Sequence, residues 1–144
     1  MMPQRRTILV DSGALFAMTD PRDRYAAAAR RFLEETTDAF YLVLDTVFSE
    51  GMTLIKARLG AAAAVSVGSR LHESTLFQLC YLEPADRRAT WQVFTRYTDK
   101  DWSYVDCSIL AIAQRQGIDE VFAFDHHFDQ MIALGLSRVP RSEG

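Results

Sequence analysis

Cysteine is scarce: Cys80 and Cys107 are the only two, and they fit neither a zinc-ligand nor a redox spacing. A disulfide framework is excluded, and both thiols read as reduced, buried side chains of a cytosolic protein. Lys56 and Lys100 are the only lysines among 16 basic residues. Four prolines and seven glycines are too few for a collagen-like or low-complexity chain. No apolar run approaches the ~20 residues that a membrane helix requires. The stretch Met1–Arg6 is short and leads directly into an apolar run, so it is not expected to be a signal peptide. Internal repeats and long blocks of one charge are also missing.

What is present is an ordinary globular composition. The 144 residues are 49% hydrophobic and 24% charged, which predicts a single domain over 1–144 with a core that needs no disulfide. The formal net charge of −3 argues against binding nucleic acid by bulk charge. That argument weakens if several acids are metal ligands, because the remaining charges then balance.

The periodicity predicts strands alternating with helices. Strand-like runs are Thr7–Val10, Phe40–Leu44, Leu76–Leu82 and Val121–Phe124, with a last one at Ser137–Val139. Helices are expected over Gly13–Met18, Arg24–Glu35, a segment capped by Asp45 or Thr46 and stopped by Gly60, Ala61–Glu73, Pro84–Tyr97, Tyr104–Gln116 behind a Ser103 cap, and Phe128–Leu134. Such alternation implies an α/β fold with a mostly parallel sheet covered on both faces.

Four acids occupy positions where chemistry is plausible. Asp11 and Asp125 each follow an apolar strand, and the carboxyl ends of strands in an open α/β sheet form the ligand crevice. Each could equally be a helix N-cap. On a helical wheel Glu50 is flanked by Val47, Thr53, Leu54 and Ala57, and Asp106 by Trp102, Ser103, Ile109, Leu110 and Ala113, all uncharged. Each therefore interrupts a stripe expected to face the core. The structural alternatives are a Ser103–Asp106 capping box and a buried Glu50–arginine pair. Two unit charges ~5 Å apart repel by about 3 kcal/mol at an effective dielectric of ~20. Converging carboxylates would thus raise one another's pKa unless a cation sits between them, and oxygen donors of this kind suit Mg²⁺ or Mn²⁺. Ser12 could contact a phosphate or a metal water, or merely cap the next helix; Ser108 lies within a turn of Asp106 and reads as structural. His126 and His127 diverge on a helix and have no cysteine or third histidine nearby in sequence, so a zinc site is not expected.

The segments Ile8-Leu-Val-Asp11-Ser12-Gly-Ala-Leu, Thr46-Val-Phe-Ser-Glu50, Ser103-Tyr-Val-Asp106-Cys-Ser108-Ile-Leu-Ala and Ala123-Phe-Asp125-His-His-Phe128 together resemble the four motifs of a PIN domain, in order and at family spacing. The likeness is closest to the VapC-type toxins of toxin–antitoxin pairs. It implies a three-layer α/β/α sandwich with a mostly parallel sheet of four or five strands. It further implies Mg²⁺ or Mn²⁺ held by Asp11, Glu50, Asp106 and Asp125, and cleavage of RNA by a metal-activated water that leaves a 5′ phosphate and a 3′ hydroxyl. Some members use one more acid after the fourth motif, which here is Asp129. Ser12 and Ser108 would support the ligands. The resemblance also implies a cognate antitoxin, a homodimer and a cytoplasmic location. One departure is Ala123, where the family often carries a hydroxyl two residues before the fourth acid.

Other classes fit less well. A haloacid-dehalogenase-type phosphatase needs an acid two residues after the first, where Gly13 stands. A phospho-receiver module needs an acidic pair at the first strand and a late lysine, and no lysine follows Lys100. A PIN scaffold that only binds partners would not be expected to keep all four acids.

Overall fold

A computed structural model describes residues 6–141. Most of the Met1–Arg6 stretch lies outside them. Five strands form one sheet: β1 (Arg6–Val10), β2 (Ala39–Leu44), β3 (Phe77–Cys80), β4 (Glu120–Phe122) and β5 (Ser137–Val139). Their order is β3-β2-β1-β4-β5 and every pairing is parallel. Ile8, Leu9 and Val10 are fully buried. Successive strand residues point to opposite faces, so helices must cover both. The expected three-layer parallel architecture is therefore present.

Six α-helices connect the strands: α1 (Ser12–Thr19), α2 (Ala26–Glu35), α3 (Asp45–Leu59), α4 (Ala61–Glu73), α5 (Pro84–Arg96) and α6 (Tyr104–Gln116). A 3₁₀ helix (His126–Leu134) precedes β5. α6 carries the longest buried run of any of these helices, Asp106 through Ala113 without interruption. Gly117 ends it in the left-handed conformation, with φ of 69°.

Several boundaries differ from the sequence expectation, each for a local reason. β3 stops at Cys80 because its neighbour β2 ends at Leu44, leaving Tyr81 and Leu82 nothing to pair with. β4 stops at Phe122; the Ala123 N–H still reaches Val139 O at 3.0 Å, but Pro140 follows and can donate nothing further. α2 begins at Ala26, not Arg24, because Asp23 folds the preceding residues into a turn, its carboxylate accepting the Tyr25 N–H at 2.9 Å. Neither Asp45 nor Thr46 caps α3: Leu44 is the N-cap and Asp45 is already helical. Cys107 is buried as expected, whereas Cys80 is only partly so.

An aromatic row ties the sheet together across its strands. Tyr25 stacks on Phe124 at 4.6 Å, Phe122 meets Phe32 at 4.9 Å, and Tyr41 stacks on Phe77 at 4.7 Å, with Phe122 bridging the sets. Such pairs contribute about 0.5–1.5 kcal/mol each beyond their burial. They hold β4, and hence the segment carrying Asp125, against β2 and β3.

Candidate metal and phosphodiester site

The chain order reverses at β1, which lies between β2 and β4. In open α/β sheets that position opens a crevice at the carboxyl ends. Asp11 stands there, its N–H donating to Phe122 O at 2.9 Å, so the ends of β1 and β4 are level. Asp125 follows β4 by three residues and caps the 3₁₀ helix by accepting the His127 N–H at 2.9 Å. Asp11 is the N-cap residue of α1 but makes no side-chain capping bond.

Asp106 sits in the first turn of α6. Its Oδ2 accepts the Ser103 N–H at 2.9 Å, while Ser103 Oγ accepts the Asp106 N–H at 3.0 Å. The capping box is thus real, and it does not compete with a role at the rim: among the described residues Oδ1 takes no hydrogen bond. Glu50 departs from the wheel reading. It is exposed rather than core-facing, because its stripe of α3 borders the crevice, and among the described residues no arginine pairs with it. Instead Ser12 Oγ donates to Glu50 Oε1. Ser108 Oγ donates to Val105 O at 2.6 Å, so the 2.7 Å contact with Thr46 Oγ1 is one in which Thr46 donates. That link joins α6, which carries Asp106, to the first turn of α3, which carries Glu50.

The four acids share one electrostatic neighbourhood. The Asp11 carboxyl is pushed up from the usual 3.8 to about 7, first by burial and then by the charges of Asp106, Glu50 and Asp125, against a lowering from the Ser12 backbone N–H. Carboxylates so arranged are poorly tolerated without a compensating positive charge. The donor set is mostly hard oxygen, partly pre-oriented by Ser12 and the Ser103 cap, and it fits a divalent cation.

One member was not found from sequence. His127 Nδ1 lies 3.0 Å from Asp106 Oδ2 and 3.5 Å from Asp125 Oδ1. Asp106, Asp125 and His127 offer three ligand atoms all within 4.8 Å of one another. Burial disfavours the imidazolium, but the bond to Asp106 and the nearby charges of Asp125, Asp106 and Asp101 outweigh it, and the His127 pKa is raised. The only sequence signal was adjacency to Asp125; the contact with Asp106 is tertiary.

Asp129 is otherwise engaged. Arg138 Nε and Nη2 grip its two oxygens at 3.0 and 3.1 Å, and His126 Nδ1 lies 3.3 Å from one of them. The Arg138 bonds, then His126, hold its carboxyl below the usual range despite some desolvation. Asp129→Asn should therefore cost about 1–2 kcal/mol by loosening a buried guanidinium whose partner is itself part-exposed, and leave RNA cleavage within a few-fold of wild type. Thermal melts and initial rates check this, and a 100-fold loss of rate with an unchanged melt would make Asp129 a ligand.

Comparison with known proteins agrees with the geometry. Two curated relatives, both the 23S rRNA-specific endonuclease VapC20 from strains of Mycobacterium tuberculosis, are 26% identical over 121 residues, covering 84% of this chain and 91% of theirs. The crystal structure of M. tuberculosis VapC20, a sarcin–ricin-loop-cleaving toxin, superposes with a TM-score of 0.80 at 23% identity, over 90% of this chain and 96% of that one. VapBC2 of Rickettsia felis, bound to a DNA fragment from its promoter, gives 0.67 at 8% identity over 92% and 98%. FitAcB of Neisseria gonorrhoeae gives 0.62 at 17% over 91% and 95%. The PIN domain pattern matches residues 8–134, which include all four acids, and the chain belongs to the PIN domain family.

Proposed function

We propose that the protein is a divalent-metal-dependent endoribonuclease, the toxin of a toxin–antitoxin pair, acting as a single nuclease unit over 1–144 in the cytoplasm. The observation that carries this reading is the meeting of Asp106, Asp125 and His127, whose ligand atoms lie within 4.8 Å of one another, beside a buried Asp11 whose carboxyl the neighbouring acids push up. Asp11, Glu50, Asp106 and Asp125 are the proposed ligands of Mg²⁺ or Mn²⁺. When bound, the ion supplies a Lewis acid that activates a water and neutralises charge on the phosphodiester. The chain's own residues supply orientation. Ser12 aims Glu50, the Ser103 N–H fixes Asp106, and the Thr46–Ser108 link keeps α3 and α6 in register. No side-chain nucleophile is needed.

Likeness to a sarcin–ricin-loop-cleaving toxin supports the toxin role and, with it, a cognate antitoxin that covers the acidic rim. An antitoxin arginine would match the carboxylates bidentately. A homodimer is proposed on family resemblance. Among the described residues no helix is long and apolar enough to cross a membrane.

The test is incubation of total cellular RNA with the purified chain, with and without Mg²⁺, followed by end mapping. Discrete cuts bearing 5′ phosphates, formed only with a divalent ion, are expected. Intact RNA under every ion tried, from a folded protein that nonetheless binds it, would favour the partner-binding scaffold.

A further inference from the structure

We infer that a single RNA strand crosses the acidic rim along α3, its phosphates held on either side of Glu50 by Arg58 and Arg87, with an unpaired base against Tyr104. The inference rests on the ribonuclease reading; Arg58 and Arg87 lie outside the four PIN motifs, and Tyr104 stands within the third as a residue other than its acid.

Two clefts open along α3. The first, about 470 Å³, is bordered by Thr46, Ser49 and Glu50 together with Arg87 and Tyr104. The second, about 420 Å³, is bordered by Leu54 and Arg58 together with Asp11, Ser12 and Asp125. Glu50 lies between them on the helix. At 1.5 Å per residue, Thr46 and Arg58 stand roughly 18 Å apart along the axis, the reach of a few nucleotides.

Each cleft carries one exposed arginine, and neither Arg58 nor Arg87 forms an ion pair among the described residues. Other arginines, among them Arg30, Arg31 and Arg88, are likewise without an ion pair among the described residues, but only Arg58 and Arg87 border these two clefts, whereas Arg6, Arg115 and Arg138 are held by Glu120, Asp86 and Asp129. Arg58 is steadied by the Phe16 ring, its guanidinium carbon 5.3 Å from the centroid. A chain of net charge −3 with acids at its rim repels a polyanion at long range, so unpaired cations beside those acids are what would bring a phosphate in.

The first cleft also carries an aromatic surface. Tyr104 is 39% exposed, its ring meets Phe94 edge-on at 5.6 Å, and Phe94 meets Trp91, 58% exposed, at 5.8 Å. A supported, solvent-facing ring stacks an unpaired base, which a duplex does not offer.

The experiment measures binding of a fluorescein-labelled, mixed-sequence single-stranded oligoribonucleotide over a series of salt concentrations, by anisotropy, in an Asp106→Asn background that spares the probe. Arg58→Gln and Arg87→Gln should each reduce the slope of log K against log salt by about 0.7, and together by about 1.4. Lysine at either position should restore it. Tyr104→Leu should weaken binding roughly 5- to 150-fold at every salt concentration without changing the slope. With Asp106 intact, each arginine variant should raise KM more than it lowers kcat. Unchanged slopes in both arginine variants, or tighter binding of the same strand as a duplex, would overturn the strand path while leaving the nuclease reading in place. Failure of the unsubstituted protein to bind or cleave any RNA would overturn both.

Discussion

Asp106→Asn is expected to abolish RNA cleavage while the protein stays folded. Asparagine keeps the shape of the side chain, and its oxygen can still accept the Ser103 N–H, so the capping box survives in part. Loss of that cap alone would cost about 1 kcal/mol and leave activity intact. What the substitution removes is a negative charge at the rim and a charged oxygen ligand. Losing an outer partner of a metal site typically costs 10–100-fold, so losing a ligand should lower kcat by on the order of 10³-fold or more. The charge of Asp106 is also the first of those that push the Asp11 carboxyl upward. Without metal, then, the variant should melt no lower than wild type near neutral pH. Mg²⁺ should raise the wild-type melting temperature by more than the variant's, because a ligand that binds only the folded state stabilises it. Melting curves and cleavage rates, each with and without Mg²⁺, decide the matter. Full cleavage by a variant with a lowered melting temperature would reduce Asp106 to a capping residue.

The second large effect is a pH dependence centred on Asp11. Its carboxyl titrates at about 7 in the folded protein against an ordinary 3.8. Between those values the folded state holds a proton that the unfolded state has released. Stability from this group is fully present below about 4 and is lost as pH rises through about 7, a total of up to roughly 4 kcal/mol. His127, also raised, acts in the same sense. Asp20, Asp86 and Asp129, all lowered, act in the opposite sense and lose their contribution as pH falls. The difference between wild type and Asp11→Asn isolates the Asp11 share: without metal it should decline between about pH 4 and 7. Metal binding needs the carboxylate, so the gain in melting temperature on adding Mg²⁺ should be larger at pH 8 than at pH 5.5 in wild type. Parallel profiles for the two proteins would mean that Asp11 does not share a field with the other acids.

Much of this was legible from sequence because it depends on local pattern. The parallel sheet follows from apolar runs alternating with amphipathic helices. Asp11 and Asp125 are marked by the strands before them, and Ser103-x-x-Asp106 by its capping spacing. What escaped depends on tertiary neighbours. The wheel around Glu50 identifies an uncharged stripe but cannot distinguish one that faces the core from one that lines a crevice. His127 meets Asp106 across a distance that no helical period encodes. The Arg138 grip on Asp129 forms only when β5 pairs with β4. Strand ends moved because hydrogen-bonding partners stop first: β3 for want of β2, β4 for want of a donor at Pro140.

The sheet order has a consequence for the timing of synthesis. Asp11 lies near the start of the chain and Asp125 near its end, and they meet only when β4 inserts between β1 and β5. β5 itself ends at Val139. A growing polypeptide therefore carries its first three acids without a finished rim, and contacts this distant in sequence close late. The rim is therefore assembled only after β5 has been made, and until then the chain presents its acids one by one rather than as a site.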